Sequence, residues 1–282
     1  RGLISDGILS KRGFDLRKEF DEYNTDLEIA HSNLIKETID NANGKPFFLF
    51  LQYTKIHTIT VSEVLKKFEW NDKNFYENKK NNLEVYDNAF RDTGKYAKKI
   101  FDVVNELDLD KNTIIIFFSD HGTGVGERFG ERNYGSFTFE ETIRTFYLFT
   151  GYNIMKNKMD SSLLSTIDIF PTILDLCGIK KQIIPEIGKS FASFLHGDDK
   201  ILQSREFTFS ETGALHGPYV SPEVSNVFCV KTKDYKLIFI KTADEWLLFD
   251  LRNDPNEKNN IFGKGLSIEN TLKEKLLDWI DE

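Results

Sequence analysis

The chain has 282 residues, of which 40% are hydrophobic and 29% are charged, proportions that are ordinary for a globular protein. Its 45 acidic residues outnumber its 37 basic residues, and the net charge of −8 argues against nucleic acid and against a polybasic membrane contact. No apolar run approaches the roughly 20 residues that span a bilayer, so we predict no transmembrane segment in this chain. The two cysteines, Cys177 and Cys229, are too few for a disulfide framework, and we expect both to be buried free thiols.

The start of the chain gives no information on location. It begins at Arg1 without a methionine or a signal peptide, and the first strand-like run arrives only at Phe47. We therefore expect a fragment or a processed piece of a longer protein, and its localisation stays open.

The first predicted elements are a helix, a strand and a second, longer helix. Apolar residues have helical spacing from Asp26 to Ala42, and "NANGKP" ends that pattern. The run Phe47–Tyr53, "FFLFLQY", predicts a strand, and "TKIHTIT" is interpreted as the loop that leaves its carboxyl end. After a polar excursion, "FEWNDKNFYENKKNN", an apolar stripe predicts a helix from about Leu83 to Leu107.

Strands and helices alternate in the next part of the chain. Thr113–Asp120 and Thr145–Gly151 are predicted strands, separated by a charged, glycine-bearing loop. The segment "STIDIFPTILDLCGI" predicts a helix with Asp168 as its N-cap, Pro171 in its first turn and Gly178 at its end. This alternation indicates an α/β sheet that is covered by helices on both faces.

The pattern changes after about Leu195. "NVFCVKT", "YKLIFIK" and "EWLLFDL" are short strands at close intervals, which predicts an antiparallel meander, and "SIENTLKEKLLDWIDE" predicts an amphipathic helix. We therefore divide the chain into a core of residues 1–195 and an α+β subdomain of residues 196–282, and we expect the two groups of strands to form separate sheets.

Two metal-ligand types, Asp120 and His121, end the buried strand "IIIFFSD". In open α/β sheets, ligands bind beyond the carboxyl ends of the strands. A carboxylate and an imidazole together can bind Mn, Zn, Mg or Ca, although a capping Asp beside a surface His explains the pattern equally well. His57 follows the strand ending at Tyr53 and reaches the same crevice if the two strands are neighbours; a solvent-exposed loop His is the simpler interpretation.

The loop after His121 carries arginines between glycines. Arg128 or Arg132 can hold a sulfate or phosphate group bidentately, although a mixed charge run more often forms a solvated face. In "FEETIR" we expect Glu140 or Glu141 to pair with Arg144 at helical spacing and to be structural. The sequence has no Gly-x-Ser-x-Gly elbow, no Gly-x-x-x-x-Gly-Lys loop and no cysteine next to a base.

The order of the segments is more specific than any one of them. "FLFLQYTKIH", "NTIIIFFSDHG", "FEETIRTF", "TIDIFPTILDLCGI" and "LFDLRNDPNEKNNI" follow one another from about Lys45 to Phe262. Together they resemble the C-terminal two-thirds of a sulfatase of the alkaline phosphatase superfamily. The resemblance implies an α/β fold with an alkaline-phosphatase-like mixed sheet flanked by helices, plus a small C-terminal antiparallel sheet and helix.

The resemblance also implies a site. Asp120 and His121 match a pair of ligands of a divalent metal ion (Ca, Mg or Mn), and His57 matches a catalytic histidine that contacts the oxyanion or assists the leaving group. We expect these three side chains to converge on one pocket. Where the family often has a Lys, this chain has Gly135, so we assign the nearest cation, Arg132, to catalysis; a His common in relatives is Arg128 here.

The implied activity is metal-dependent hydrolysis of sulfate or phosphate monoesters of small molecules or glycans. The first carboxylate pair and the Cys/Ser-x-Pro-x-Arg nucleophile motif of the family are absent from the sequence, so we expect this chain alone to be inactive. Two alternatives stay open: a phospho-alcohol transferase of the same superfamily, and a non-catalytic binding module that keeps the fold.

Overall fold

The computed structural model describes residues 13–21, 23–179, 188–198, 205–213, 217–221 and 223–282. The chain forms two compact units, which meet in sequence between Lys111 and Asn112. The domain boundary near Leu195 stays a prediction. Among the described residues, none of the helices combines the length and the apolar character that crossing a membrane requires.

The first unit is helical. Its helices are α1 (Leu27–Ala42), α2 (Lys55–Glu63), α3 (Lys73–Glu77) and α4 (Lys79–Glu106). Helix α1 begins at Asp26, whose carboxylate accepts hydrogen bonds from the N–H groups of Glu28 and Ile29, and it ends at Asn43 in the left-handed conformation. All three of the other helices pack against α4. The predictions of α1 and of the long helix are confirmed.

Two predictions for the first unit are wrong. Phe47–Tyr53 forms no strand, because a strand needs a hydrogen-bonded neighbour and no described segment pairs with it; Phe48 is 64% exposed. The segment "TKIHTIT" is largely the helix α2 and not a loop. Packing against α4 overrides the low helix propensity of its β-branched residues, and buried Thr60 donates its hydroxyl to the Ile56 carbonyl at 2.7 Å.

The polar excursion is also more ordered than its composition suggests. Helix α3 lies within it, and Phe75 is fully buried against Val64 and Leu65. Phe68 and Tyr76 of the same segment pack against this cluster, so a few aromatic residues fix a segment that otherwise consists mainly of polar residues.

The second unit alternates strands with short helices and ends in a meander. Its elements are β1 (Ile114–Phe118), α5 (Glu140–Ile143), β2 (Tyr147–Gly151), α6 (Ile169–Leu176), α7 (Ala192–Leu195), β3 (Thr208–Thr212), β4 (Val227–Lys231), β5 (Tyr235–Ile240), β6 (Glu245–Asp250) and α8 (Ser267–Asp281). Strands β1 and β2 pair antiparallel, and β3 to β6 form a separate antiparallel sheet in sequence order. The α/β fold class and the C-terminal sheet with its helix are confirmed.

The end signals of α6 agree with the sequence except at Asp168. Pro171 lies in the first turn and Gly178 follows the helix with φ +66°. The Asp168 carboxylate does not cap α6 itself. It accepts the N–H of Ser165 one turn upstream and pairs with Arg205, whose Nη2 lies 2.5 Å from Oδ1. The fully buried Asp168 carboxylate therefore has a structural role, because it links the Ser165 backbone to Arg205.

The two cysteines differ. Both are free, but Cys177 at the end of α6 is exposed, whereas Cys229 on β4 is buried. The prediction that both are buried is wrong for Cys177, because it lies beyond the last turn of a short helix.

The C-terminal sheet has an apolar layer on each face. On one face, Leu272 and Leu276 of α8 pack against β4, β5 and β6. On the other face, Phe137 and Phe139 pack against residues of the same sheet. Because these two phenylalanines follow directly on the loop after His121, the sheet anchors the segment that carries the candidate site.

Candidate metal centre

The backbone after β1 is fixed by contacts with the α5 turn. The Ser119 N–H donates to the Phe146 carbonyl at 3.3 Å, and the Gly122 N–H donates to the Thr142 carbonyl at 2.8 Å. A Cβ atom added at Gly122 would overlap the carbonyl oxygen of Glu141. Only glycine allows the chain to approach α5 this closely, and Asp120 and His121 are placed just before that approach.

His121 has a defined tautomer and orientation. Its Nδ1 lies 2.6 Å from the Gly122 carbonyl oxygen, which can only accept, so Nδ1 carries the proton and Nε2 carries the lone pair. Nε2 lies 3.8 Å from Oδ2 of Asp120. The other carboxylate oxygen, Oδ1, accepts the backbone N–H of His121 at 3.0 Å. The pair thus presents one nitrogen and one oxygen lone pair side by side.

This spacing fits one shared cation. An ion about 2.4 Å from each of two atoms that lie 3.8 Å apart, a distance typical of Ca²⁺, would subtend an angle of about 105° between them. The Asp120 side chain is 80% exposed and the His121 side chain 37%, so both are accessible. Among the described residues, no group of three or more His, Cys, Asp or Glu side chains is placed to hold a metal ion. The role of Asp120 and His121 as metal ligands stays a prediction.

The loop after His121 folds back over it. Gly124 and Asn133 form an antiparallel bridge, with N–O distances of 2.5 and 2.9 Å. The bridge places the Tyr134 ring against the His121 imidazole, with 4.0 Å between the ring centroids. Burial, with the charge of Asp120 second, raises the pKa of the Tyr134 phenol. The sequence did not point to Tyr134, because its contact depends on a bridge between residues that carry no motif.

Arg128 is occupied by structural contacts. Its guanidinium donates to Glu141 Oε1 at 2.6 Å, to the Glu257 carbonyl at 2.7 Å and to the Asn256 carbonyl at 2.5 Å, and it lies 3.8 Å from the Phe139 ring centre. These contacts occupy the guanidinium N–H groups that would otherwise bind the oxygens of a sulfate or phosphate group. The interpretation of Arg128 as an oxyanion ligand is therefore wrong.

Arg128 belongs to a larger buried charge network. Its members are Arg128, Glu140, Glu141, Lys231, Lys236 and Glu257. Lys236 is fully buried, with Nζ 2.8 Å from Glu257 Oε1 and 3.2 Å from Glu140 Oε1. Burial alone favours the neutral amine, but the charges of Glu257 and Glu140 outweigh it and raise the pKa of Lys236.

The predicted pairing of Glu140 or Glu141 with Arg144 is wrong. Lys231 and Lys236 take Glu140, Arg128 takes Glu141, and Arg144 is exposed. The physical reason is that α5 ends at Ile143 and Arg144 is already extended, so helical spacing does not bring Arg144 to either glutamate. The expectation that both glutamates are structural holds with different partners.

The remaining predicted site residues are His57 and Arg132. His57 is half-buried in the first turn of α2, within the first unit, whereas Asp120 and His121 belong to the second. Arg132 is half-buried in the folded-back loop, next to the Gly124–Asn133 bridge. The convergence of His57 with the metal pair and the catalytic role of Arg132 stay predictions.

Comparison with protein families identifies the chain. The sulfatase family profile matches residues 13–179, and the profile described as N-sulphoglucosamine sulphohydrolase, C-terminal, matches residues 130–282. The chain belongs to the sulfatase family. An N-acetylglucosamine-6-O-sulfatase of Bacteroides thetaiotaomicron is 33% identical over 170 residues, which cover 57% of this chain and 28% of the relative. Arylsulfatase K of Bos taurus is 27% identical over 193 residues, which cover 66% and 34%.

Solved structures show the same fold. A 2-O GAG sulfatase has a TM-score of 0.65 at 22% identity and covers 81% of this chain and 48% of its own. A phosphonate monoester hydrolase from Silicibacter pomeroyi has a TM-score of 0.69 at 15% identity, covering 93% and 60%. This sulfatase chain spans about a third of the length of the curated relatives named above. The family in general depends on a divalent metal ion.

Proposed function

We propose that the protein carrying this chain hydrolyses sulfate monoesters of glycans, and that Asp120 and His121 supply two of the ligands of its divalent metal ion. The observation that carries the proposal is the 3.8 Å spacing between the Asp120 Oδ2 and His121 Nε2 atoms, both of which present lone pairs. The oxygen and nitrogen donors suit Ca²⁺, Mg²⁺ or Mn²⁺ when further ligands are supplied.

Each residue of this chain has a distinct role in the proposal. Asp120 and His121 would hold the metal ion, which when bound would neutralise charge on the ester oxygens and lower the pKa of the attacking nucleophile. The Gly122 carbonyl holds the proton of His121 on Nδ1, which keeps Nε2 available as a ligand. His57 contacts the sulfate oxygens or donates a proton to the leaving group, and Arg132 stabilises negative charge on the sulfate.

The glycan substrate class rests on the names of relatives. One curated relative is an N-acetylglucosamine-6-O-sulfatase, and one solved structure of the same fold is described in complex with D-glucosamine-2-N,6-O-disulfate. The curated relatives named here are sulfatases, so neither the phospho-alcohol transferase nor the binding module receives support from them.

The first test uses the whole protein that carries this chain. Hydrolysis of an aryl sulfate, an aryl phosphate and glucosamine 6-sulfate is measured for wild type, Asp120→Asn and the matched control Asp110→Asn at an exposed position. We expect preference for the sulfates and a loss of at least ~10³-fold in kcat/KM in Asp120→Asn alone. Equal activity of wild type and Asp120→Asn contradicts the proposal.

The second test uses the 282-residue chain. We expect no turnover of either aryl ester with Ca²⁺, Mg²⁺ or Mn²⁺ supplied, since a catalytic metal needs at least about three protein ligands and the sequence has no nucleophile motif. Turnover that disappears in Asp120→Ala would show that a nucleophile lies within these residues.

A further inference from the structure

We propose that Tyr134 is a positioning residue for the metal centre: its aromatic ring holds the His121 imidazole so that Nε2 faces Asp120. The inference rests on the proposed metal-binding role of Asp120 and His121. It adds a side chain that contacts a ligand's ring without itself being a ligand.

The imidazole of His121 is restrained on an edge and on a face. On its edge, Nδ1 donates to the Gly122 carbonyl at 2.6 Å. On its face, the Tyr134 ring lies with 4.0 Å between centroids and 44° between ring planes. The hydrogen bond alone permits the ring to tilt about its Cβ–Cγ bond, whereas the tyrosine blocks tilting toward its side. Nε2 therefore stays 3.8 Å from Asp120 Oδ2.

The backbone of Tyr134 is itself held from both sides. Its preceding neighbour, Asn133, forms the bridge to Gly124, and the carbonyl of its following neighbour, Gly135, accepts a hydrogen bond from the Thr212 hydroxyl of β3 at 2.8 Å. Asn133 and Gly135 both have positive φ angles, +79° and +85°, which turn the chain before and after the tyrosine. The ring is thus presented by a loop whose backbone is held on both sides.

The contact predicts which part of the tyrosine matters. The close approach to His121 is between rings, so phenylalanine should replace Tyr134 without loss, and a small aliphatic residue should not. Removing the ring leaves His121 with its Nδ1 hydrogen bond but free to tilt. A metal ion must then order the imidazole when it binds, and this ordering lowers the affinity.

The experiment follows the His121 ring signals by NMR in the whole protein that carries this chain, because the 282 residues supply only two of the proposed metal ligands. Spectra are recorded for wild type, Tyr134→Phe, Tyr134→Leu and Tyr134→Ala, with Tyr152→Ala as a control at a residue that is 58% exposed. We expect the ring-current shift of the His121 protons to persist in wild type, Tyr134→Phe and Tyr152→Ala and to disappear in the other two. Mn²⁺ added to the same samples broadens the His121 signals, and we expect its apparent affinity to fall roughly tenfold in Tyr134→Leu and Tyr134→Ala.

The outcomes separate this inference from the function beneath it. Unchanged His121 signals and Mn²⁺ affinity in Tyr134→Leu and Tyr134→Ala overturn the positioning role, as does loss of either in Tyr134→Phe. If Mn²⁺ does not broaden His121 even in wild type, the proposed metal centre fails, while the ring-current shifts still report the contact. Two variants of different size guard against a folding defect, which the amide spectrum of each would reveal.

Discussion

The charged residues on either side of Gly122 differ in burial and in pairing. Around α5, three cationic and three anionic side chains form the buried charge network, in which Lys236 and Glu257 are fully buried and closely paired. Just before Gly122 in the sequence, the side chain of Asp120 is 80% exposed. Within the described part of the chain, its only ionisable neighbour at ion-pairing distance is His121. One region has its charge balanced internally, and the other does not.

The difference distinguishes charged side chains that hold the fold together from charged side chains that face solvent. A buried charge persists only with a partner, so every member of the network is committed to holding α5 against the C-terminal sheet. The exposed Asp120 carboxylate, in contrast, is open to an external cation. Gly122 is the point of contact between the two, because its N–H donates to Thr142 of α5. The network therefore helps to fix the backbone next to Asp120 and His121, and we expect the side chains of these two residues to contribute little to folding.

Breaking the network should give the largest loss of stability. Lys236→Met keeps the volume of the side chain but leaves Glu257 and Glu140 without their shared ammonium group. We expect the free energy of unfolding to fall by about 3–5 kcal/mol in urea titrations. The matched control is Arg252→Met, which breaks the more exposed pair with Asp234 and should lose little stability, because water and salt screen an exposed pair.

A second variant tests whether the loss comes from the unpaired charge. Adding Glu257→Gln to Lys236→Met removes one of the stranded carboxylates, so the double variant should recover part of the lost stability. Equal stability of Lys236→Met and the Arg252→Met control would show that the network contributes no more than an exposed pair.

Substitution of Gly122, where the two regions meet, should give the second-largest loss of stability. In Gly122→Ala the new methyl group overlaps the Glu141 carbonyl oxygen, which is backbone and cannot swing away. We expect a loss of about 2–3 kcal/mol in unfolding free energy, together with altered His121 NMR signals. Gly94→Ala in α4 is the control, because its Cβ meets nothing within 4 Å; it should stabilise the chain by roughly 0.5–1 kcal/mol. If the His121 signals in Gly122→Ala matched those of wild type, the close approach at Gly122 would not position His121, and the proposed link between the two regions would be wrong.

Glu131 offers a third kind of charge, buried without a counter-charge. Burial raises its pKa from 4.5 to about 8, with Glu141 adding to the shift and Arg128 and the N–H groups of Ser136 and Phe137 opposing it. Its Oε2 atom has no hydrogen-bond partner among the described residues. Because the folded state holds the proton more tightly than the unfolded state, stability is full below about pH 4.5 and declines as the pH rises toward 8.

The variant Glu131→Gln removes this pH dependence. We expect it to be more stable than wild type by roughly 2 kcal/mol at pH 8.5, because water entry around the ionised carboxylate offsets part of the linkage, and similar to wild type at pH 4.5. Urea unfolding at the two pH values measures the difference. Glu211→Gln, at an exposed position on β3, should leave the pH profile unchanged. The same slope in Glu131→Gln as in wild type would assign the pH dependence to another group.

The sequence predicted elements whose signals are local. Helices α1 and α4 carry periodic apolar faces, α6 carries Pro171 and Gly178, and the C-terminal strands alternate with clear turns. The strand at Phe47–Tyr53 could not be judged from its own residues, because a strand exists only through a hydrogen-bonded partner. Helix α2 was missed for the opposite reason, since packing on α4 outweighs the propensity of its β-branched residues.

The candidate site shows the same division. The metal-ligand role of Asp120 and His121 was predicted from a strand end and a family pattern that lie in consecutive residues, and it stays a prediction. The partners of Glu140 could not be predicted from the sequence, because Lys236 lies 96 residues away and Glu257 lies 117 residues away. Tyr134 is near His121 in sequence, yet only the bridge at Gly124 brings it into contact. Contacts that exist only because the chain folds back on itself, even between exposed residues, leave no periodic pattern or motif in the sequence.

The smallest expected effect on stability is at Asp120, and it is the sharpest test of the comparison. Asp120→Asn keeps an oxygen that accepts the His121 backbone N–H, and the lost negative charge has no fixed cationic partner among the described residues. We expect the free energy of unfolding to change by less than about 0.5 kcal/mol, while Mn²⁺ no longer broadens the His121 signals, because a neutral amide is a far weaker ligand for a divalent ion than a carboxylate. Asp110→Asn, at another exposed position, should change neither quantity. A loss of stability in Asp120→Asn as large as that in Lys236→Met would mean that the exposed pair also holds the fold together, and the separation of binding from stability would be wrong.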